Sequence, residues 1–373
     1  MRVLHVIPFV ALRHGGSTHA LRKITAACTS FASRVTVLTG ESLSDPNILS
    51  GFHPEVEVVS RPGPVQRLER ISLGTIRYLV ETRNEFDVIH VHTQFNFTVT
   101  AASWVARLTG LPVIIRPTGT LDPWCLAYKA WKKRPYFRLF IKPALHWAAA
   151  VHVTSQHEWS SIAALGFAEK TETVPLCAGQ INDSMSRKPV HAPREILFMS
   201  RWDTVKNIPK LIEAFELLLS ETDNLRLVLA GAGESKLTAE IHRQIEETGL
   251  GEFIETPGFL QGDAKEAAFR SATVFVLPSF QENFGIAAVE AMARGVPLVM
   301  SDGLALSDEC RQEDAAVLVS PESSRSIADG ILEAMRPQRA KQVVMAAHSL
   351  VERSFTAAAM TTNLRSMYQK VLN

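Results

Sequence analysis

The sequence predicts an α/β protein of two domains, each a parallel sheet with crossover helices. Two observations carry this. Short apolar runs rich in β-branched residues alternate with helical patterns along the chain, as in successive βαβ units. The length, 373 residues, suffices for two domains of ordinary size, each able to bury its own core. An apolar content of 46% and a charged content of 21% are those of a globular protein. No run approaches the ~18 apolar residues of a membrane span. Residues 1–12, with Arg2 as the only preceding charge and Pro8 inside, read as a first buried strand and not as a signal peptide.

Residues 2–9 form that strand, followed by His14-Gly15-Gly16-Ser17-Thr18 and a helical pattern through Leu21 and Ile24. Paired glycines let the backbone approach a ligand without a Cβ in the way, and the N–H groups of a helix start suit an anion. Further strands are expected at 34–39, 55–60 and 87–92, with a helix at 69–83. Strand 87–92 ends in His90-Val91-His92. Ligands of parallel sheets sit beyond the carboxyl ends of strands, which places His92 at the site. The two histidines are assigned to opposite faces of the strand, so that they share no metal, and His90 is taken as a core residue.

A strand at 112–116 runs into Pro117-Thr118-Gly119-Thr120-Leu121-Asp122-Pro123-Trp124. Residues 128–147 then interleave basic and aromatic side chains. They read as a helix that packs its aromatics on the sheet and leaves its lysines in water. An amphipathic segment at an anionic lipid surface is the alternative. Single-stranded nucleic acid, which such a mixture also suggests, has no accompanying motif. A short strand at 151–154 precedes Ser155, which caps a helix through Leu165 with Glu158 at the capping-box spacing. Val174-Pro175-Leu176 closes the first domain, and 183–194, proline-bearing and poor in apolar residues, is the linker.

The second domain restarts with a strand at 195–200 and a helix at 207–219. Between them Arg201-Trp202-Asp203-Thr204-Val205-Lys206-Asn207 holds two cations five residues apart, suited to a diphosphate. The strand at 225–230 is followed by Gly231-Ala232-Gly233-Glu234. Lys236 stands where a dinucleotide fingerprint has its third glycine, so a tight turn is expected there. After a strand at 253–256 comes Pro257-Gly258-Phe259-Leu260. The strand at 272–277 delivers a loop to a helix opened by Gly285 and closed by Gly295 and Pro297. The backbone from Asn283 to Ile286 is the expected phosphate cradle. Glu282 and Glu290 are eight residues apart and form no simple surface pair. Each carboxylate accepts hydrogen bonds from sugar hydroxyls, so one suits a hexose and the other a ribose. Strands at 297–301 and 316–320, a helix at 323–335 and a last helical region at 355–372 complete the chain.

Pro278-Ser279-Phe280-Gln281-Glu282, Phe284-Gly285 and Glu290-Ala291-Met292-Ala293 together resemble the E-x7-E signature of the retaining glycosyltransferases of family 4. The resemblance implies the GT-B fold, two Rossmann-like domains with parallel sheets facing a central cleft. Residues 1–182, joined by a C-terminal helix at 355–373 that crosses back, would bind the acceptor; 183–354 would bind the nucleotide sugar. It further implies that Glu282 contacts the donor sugar, Glu290 the ribose, Arg201 and Lys206 the pyrophosphate, and Phe259 and Leu260 the base. Asn283, Phe284, Gly285 and Ile286 would lie at the phosphates, and Gly15 and Gly16 at the donor diphosphate or the acceptor. Members with a histidine beside the reacting sugar place it near Thr118. This chain departs from that pattern, which leaves His92, the Thr118 hydroxyl or a backbone carbonyl as first-domain candidates beside Glu282. The hinge departs too, with Leu176-Cys177-Ala178-Gly179 in place of an Asn-Gly pair.

The expected activity is metal-independent transfer of a hexosyl group from a nucleotide diphosphate sugar to an acceptor hydroxyl with retention. Negative charge develops on the leaving diphosphate, and Arg201, Lys206 and the helix start at Gly285 would stabilise it. There is no Asp-x-Asp triplet to hold a metal, and no cofactor is expected beyond the nucleotide sugar itself, with UDP and glucose the commonest in the family. The net charge of +1 conceals an asymmetry: residues 1–182 hold 19 Lys and Arg against 12 Asp and Glu, the remainder 20 against 26. A basic first half favours an anionic acceptor, a glycan or lipid-linked glycan, or an anionic membrane surface. Cys28, Cys125, Cys177 and Cys310 form no ligand or disulfide pattern, which fits a cytoplasmic setting, with the inner membrane face as a peripheral station. Three rivals are weighed. A nucleotide-sugar epimerase of the same fold is disfavoured by the complete E-x7-E. A phosphorylase-like enzyme lacks a motif for its pyridoxal lysine. A catalytically silent sugar-binding scaffold rests only on the missing histidine.

Overall fold

The computed structural model describes residues 1–11, 14–44, 48–49, 51–62, 73–178 and 193–373. The chain divides into two compact units, one comprising Met1–Leu176 and Ala357–Asn373, the other Cys177–Thr356. The expected boundaries were 182/183 and 354/355, and most of the expected linker, 183–192, lies outside the described residues.

In the first unit seven parallel strands, β1 (Arg2–Ile7), β2 (Arg34–Thr39), β3 (Val56–Ser60), β4 (Val88–His92), β5 (Val113–Arg116), β6 (Ala150–Val153) and β7 (Thr171–Thr173), lie in the order β3-β2-β1-β4-β5-β6-β7. Residues of a strand alternate between the two faces of its sheet. Leu4, Val6, Ile89, Val91, Val113, Ile115, Val151 and Val153 therefore share one face and form a core with the helices Leu73–Glu81, Phe97–Thr109 and Lys142–Trp147. The helices Gly16–Thr29 and Ala357–Leu372 pack on each other, and Tyr368 of the second reaches His90 and Cys28. The C-terminal helix thus belongs to the first unit, held there by contacts at the far end of the chain.

The opposite face of this sheet is not aliphatic. Cross-strand register pairs His5 with His90, and His92 with Arg116. Ile115 pairs with Val151, so Arg116 and His152, the next residues, also fall side by side. The assignment of His90 and His92 to opposite faces was wrong: with a side-chain period of two, residues i and i+2 share a face. Their rings stack at 4.3 Å.

The second unit holds β8 (Arg194–Met199), β9 (Leu225–Ala230), β10 (Ile254–Gly258), β11 (Ala272–Leu277), β12 (Leu298–Ser301) and β13 (Val317–Val319), parallel and ordered β10-β9-β8-β11-β12-β13. Its core joins Ile196, Phe198, Leu227, Leu229, Val274 and Val276 to Leu211, Phe215 and Leu218 of the helix Ile208–Glu221 and Ile327 and Ile331 of the helix Ser324–Met335. Both units are Rossmann-like. In each, the strand order reverses beside the first strand, between β1 and β4 and between β8 and β11, where open α/β sheets bind ligands.

Candidate active site

In the second unit β8 and β11 are neighbours, and the loops leaving their carboxyl ends meet. The Phe280 N–H donates to the Val205 carbonyl at 2.8 Å. Asn207, left-handed at φ 59°, is buried, and its amide donates to the carbonyls of Pro278 at 3.0 Å and Pro321 at 2.8 Å. Two loops some seventy residues apart in sequence are locked together by backbone groups. Their charged side chains then pair: Lys206 Nζ lies 2.7 Å from Glu282 Oε1, both largely buried. The Ser279 hydroxyl donates to the same oxygen at 3.1 Å. Glu282 Oε2 carries no hydrogen bond among the described residues, which leaves an acceptor free for a ligand hydroxyl.

Gly285, at φ 76°, opens the helix Ile286–Ala293 with no side chain capping it. Apart from that of Ala288, which donates to the Gly285 carbonyl at 2.9 Å, the first-turn N–H groups have no partner within the helix and make the positive end of its dipole. Phe284 is buried edge-on against Phe355 and fixes the loop, while Asn283 and Ile286 are half-buried beside it. Arg201 is exposed and bonded to Asp203 at 2.9 Å. Its loop is pressed against the loop after β9: a Cβ on Gly231 would lie 1.9 Å from the Ser200 carbonyl oxygen, and one on Gly233 2.4 Å from that of Trp202. These glycines exist for close backbone approach and form the expected tight turn. Glu290 is buried and meets Lys265 Nζ at 2.6 Å. Lys265 sits on the helix Gly262–Ser271, just after exposed Phe259 and half-exposed Leu260. Lys265 went unnoticed in the sequence, because nothing local marks it; only the fold brings it to Glu290.

In the first unit the residues are more dispersed. Gly15 adopts φ 81° and precedes the uncapped helix Gly16–Thr29; a Cβ on Gly16 would meet nothing within 4 Å. The preceding loop is held by buried Glu41, which accepts from the N–H groups of Val10 at 2.7 Å and Ala11 at 2.9 Å and lies 3.2 Å from His14 Nε2. Burial pushes this carboxyl up, but the His14, Ala11 and Val10 hydrogen bonds outweigh it and bring the pKa down to about 2. Sequence reading passed over Glu41, which looks like an ordinary loop acid. Thr118 stands at φ 57°, an uncommon conformation for a β-branched residue and one found at functional loops. Its hydroxyl donates to the Pro117 carbonyl at 2.6 Å, and the next N–H, of Gly119, donates to Glu158 at 2.7 Å. Ser155 caps its helix as expected, accepting from the Glu158 N–H at 3.1 Å, but the Glu158 carboxylate does not complete a capping box: its other oxygen accepts from the Thr154 N–H at 2.9 Å. Its carboxylate is spent on the Thr118 loop.

His92 does not stand at an open site. It is fully buried, 2.9 Å from His5 Nδ1 and stacked on His90, because register directs it under the helices that cover this face. Burial, then neighbouring charges, holds His92 and His90 well below the ordinary histidine pKa, and His5 and His152 fall to about 3. His5, His90 and His92 bring ring nitrogens within 4.8 Å of one another, the one grouping among the described residues with metal-ligand composition. The basic-aromatic segment divides. Tyr136, Phe137 and Trp147 pack on the core as expected, whereas Trp131 is 75% exposed and Trp124, Tyr128, Leu139 and Phe140 are exposed with it.

Comparison with known proteins bears on both units. The model described as "Glycosyl transferase 4-like domain" matches residues 15–177, and that of "Glycosyl transferases group 1" matches 182–348. A phosphatidyl-myo-inositol mannosyltransferase of Mycobacterium leprae is 27% identical over 303 residues, 79% of this chain and 76% of that protein. Among solved structures, Anabaena HepE in complex with UDP and glucose superposes with a TM-score of 0.81 at 19% identity, covering 99% of each chain. Sucrose-phosphate synthase from Thermosynechococcus elongatus gives 0.80 at 18% identity over 99% of this chain and 98% of its own. At such identities the two structural matches establish the fold, which is GT-B.

Proposed function

For a chain that is a family-4-like glycosyltransferase of the GT-B fold, we propose a retaining hexosyltransferase that needs no metal and no cofactor beyond its sugar nucleotide. The observation that carries this reading is the Lys206–Glu282 pair beside the uncapped helix start at Gly285. A diphosphate seated on the Gly285 N–H groups draws the Lys206 ammonium and the Arg201 guanidinium toward its oxygens. Glu282 then accepts from hydroxyls of the sugar and holds its anomeric carbon in place. As the bond from that carbon to the phosphate oxygen breaks, the cations and the helix end stabilise the departing charge, which is the work a divalent metal performs in other designs. Glu290, held by Lys265, accepts from the ribose hydroxyls, with the base against Phe259 and Leu260.

UDP-glucose is the proposed donor, in keeping with the UDP and glucose held by the Anabaena structure. A lipid-linked glycan is the proposed acceptor, in keeping with the lipid substrate named for the mycobacterial relative. The first unit supports this by its charge. Residues 123–147 contain Lys129, Lys132, Lys133, Arg134, Arg138 and Lys142 and no acid, and the five exposed apolar side chains lie among these cations. Such a face suits peripheral contact with an anionic bilayer where the acceptor resides.

The test is calorimetric titration of UDP, GDP and ADP without metal and with magnesium, followed by turnover of the matching sugar nucleotide with polyprenyl-linked acceptors. Micromolar UDP binding unchanged by EDTA, with the anomeric configuration kept in the product, is the expected result. No binding of any nucleotide would overturn the reading.

A further inference from the structure

The histidine face of the first sheet contains a charge that no described residue neutralises by contact. Arg116 is 1% exposed at the end of β5. Its Nε and Nη1 have no hydrogen-bond partner, and it forms no ion pair among the described residues. Glu158 is the carboxylate that acts on it, but both Glu158 oxygens are taken by Gly119 and Thr154. Burial lowers the Arg116 pKa to about 10, which still leaves the guanidinium charged at neutral pH. On the adjoining strand β4 His92 Nδ1, and on the next strand β1 His5 Nε2, are buried and equally without partners. A buried polar atom left unpaired is destabilising, and a charged one more so. Four such atoms on adjoining strands of one face require a common explanation.

The tautomers sharpen it. His5 Nδ1 and His92 Nε2 share one proton at 2.9 Å. The two neutral rings hold two protons, so the other sits on the outer nitrogen of whichever ring accepts inward, His92 Nδ1 if His5 donates and His5 Nε2 if His92 donates. The layer thus presents two guanidinium N–H groups, one imidazole N–H, one imidazole lone pair and one positive charge. It lies at β1, β4 and β5, next to the strand-order reversal where such sheets take ligands. A divalent cation fits this set poorly, since it would break the His5–His92 bond and sit beside a permanent positive charge.

We propose that His5, His92 and Arg116 enclose a binding site for one small inorganic anion, with chloride as the reference ligand. The guanidinium supplies the charge and two donors, and the imidazole pair the third. The site lies within the first sheet and does not depend on the donor reading of the second unit.

The test compares melting temperatures of the full chain in sodium chloride and sodium gluconate at equal ionic strength, for the wild type, Arg116→Met and Arg116→Lys. Crystals grown in bromide supply an independent readout. Expected are a saturable rise of the wild-type melting temperature with chloride, lost in Arg116→Met and partly kept in Arg116→Lys, and an anomalous bromide peak between Arg116 and the His5 and His92 rings. Equal melting in both salts with no bromide peak would overturn the proposal, as would stabilisation by zinc in place of chloride. If Arg116→Met fails to fold, the wild-type salt comparison and the bromide peak decide the question.

Discussion

Lys206 and Glu282 stand 76 residues apart in the chain and 2.7 Å apart in the structure. The pair is assembled by two strand ends that are neighbours in the sheet and by the backbone bond from Phe280 to Val205 that clips their loops together. Each side chain satisfies the other, and under the proposed donor reading the cation would turn to the diphosphate and the carboxylate to the sugar.

Separate losses are expected from the two partners. Glu282→Gln keeps the shape of the side chain and most UDP affinity but lowers transfer by about 10²–10³-fold, the scale for removing one preorganised polar contact to the reacting group. Lys206→Ala lowers transfer as strongly and weakens UDP binding as well. Calorimetry beside initial rates checks this, and a Glu282→Gln enzyme with full turnover would remove the carboxylate from the mechanism.

Arg201→Ala is expected to weaken UDP by roughly ten- to a hundredfold, the equivalent of a lost charge-assisted hydrogen bond, while leaving the melting temperature unchanged because the side chain is exposed. Unchanged UDP affinity would sink the diphosphate assignment.

Gly285→Ala adds a Cβ whose nearest neighbours lie 3.6 and 3.8 Å away, so space is not the obstacle. The obstacle is φ 76°, which costs a side-chain-bearing residue about 1–2 kcal/mol. A drop in stability of that size with weakened UDP binding is expected from denaturant titration and calorimetry; an unaffected protein would mean that the loop has another conformation available.

Buried histidines make the first unit sensitive to acid. The folded-state pKa of His5 and His152 is about 3 against 6.5 for the free side chain, and those of His90 and His92 are also depressed. The unfolded chain therefore takes up protons first. Their contribution to stability is complete above about pH 6.5 and is lost as pH falls toward 3, by up to about 1.4 kcal/mol per pH unit per histidine. Urea titrations at pH 7.5, 6 and 5 should show a falling midpoint; a flat midpoint would mean that these rings are solvated in the native state.

Tyr368→Phe removes the hydroxyl that lies 2.6 Å from His90 Nδ1 and leaves that nitrogen buried without it. A loss of about 1–3 kcal/mol is expected, read most directly as faster hydrogen exchange in the helix Ala357–Leu372.

Much of this protein was determined by local sequence. Strands 34–39, 225–230 and 272–277 are where the apolar runs place them, because a buried parallel strand must be a short unbroken apolar segment. Gly285 marks its helix start because a left-handed residue is needed there, and Arg201, Lys206, Glu282 and Glu290 announce themselves by motif spacing. What the sequence could not reveal depends on register and on long-range packing. The mate of Glu290, Lys265, is defined only once two helices are placed; the loop clamp Glu41 looks like a surface acid, and Glu158 like a capping-box acid, until their backbone partners are known. His92 reads as a site residue from its place at a strand end. Register instead turns it onto the face that His5, His90, Arg116 and His152 share, where Tyr368 of the helix Ala357–Leu372, from the far end of the chain, reaches its neighbour His90.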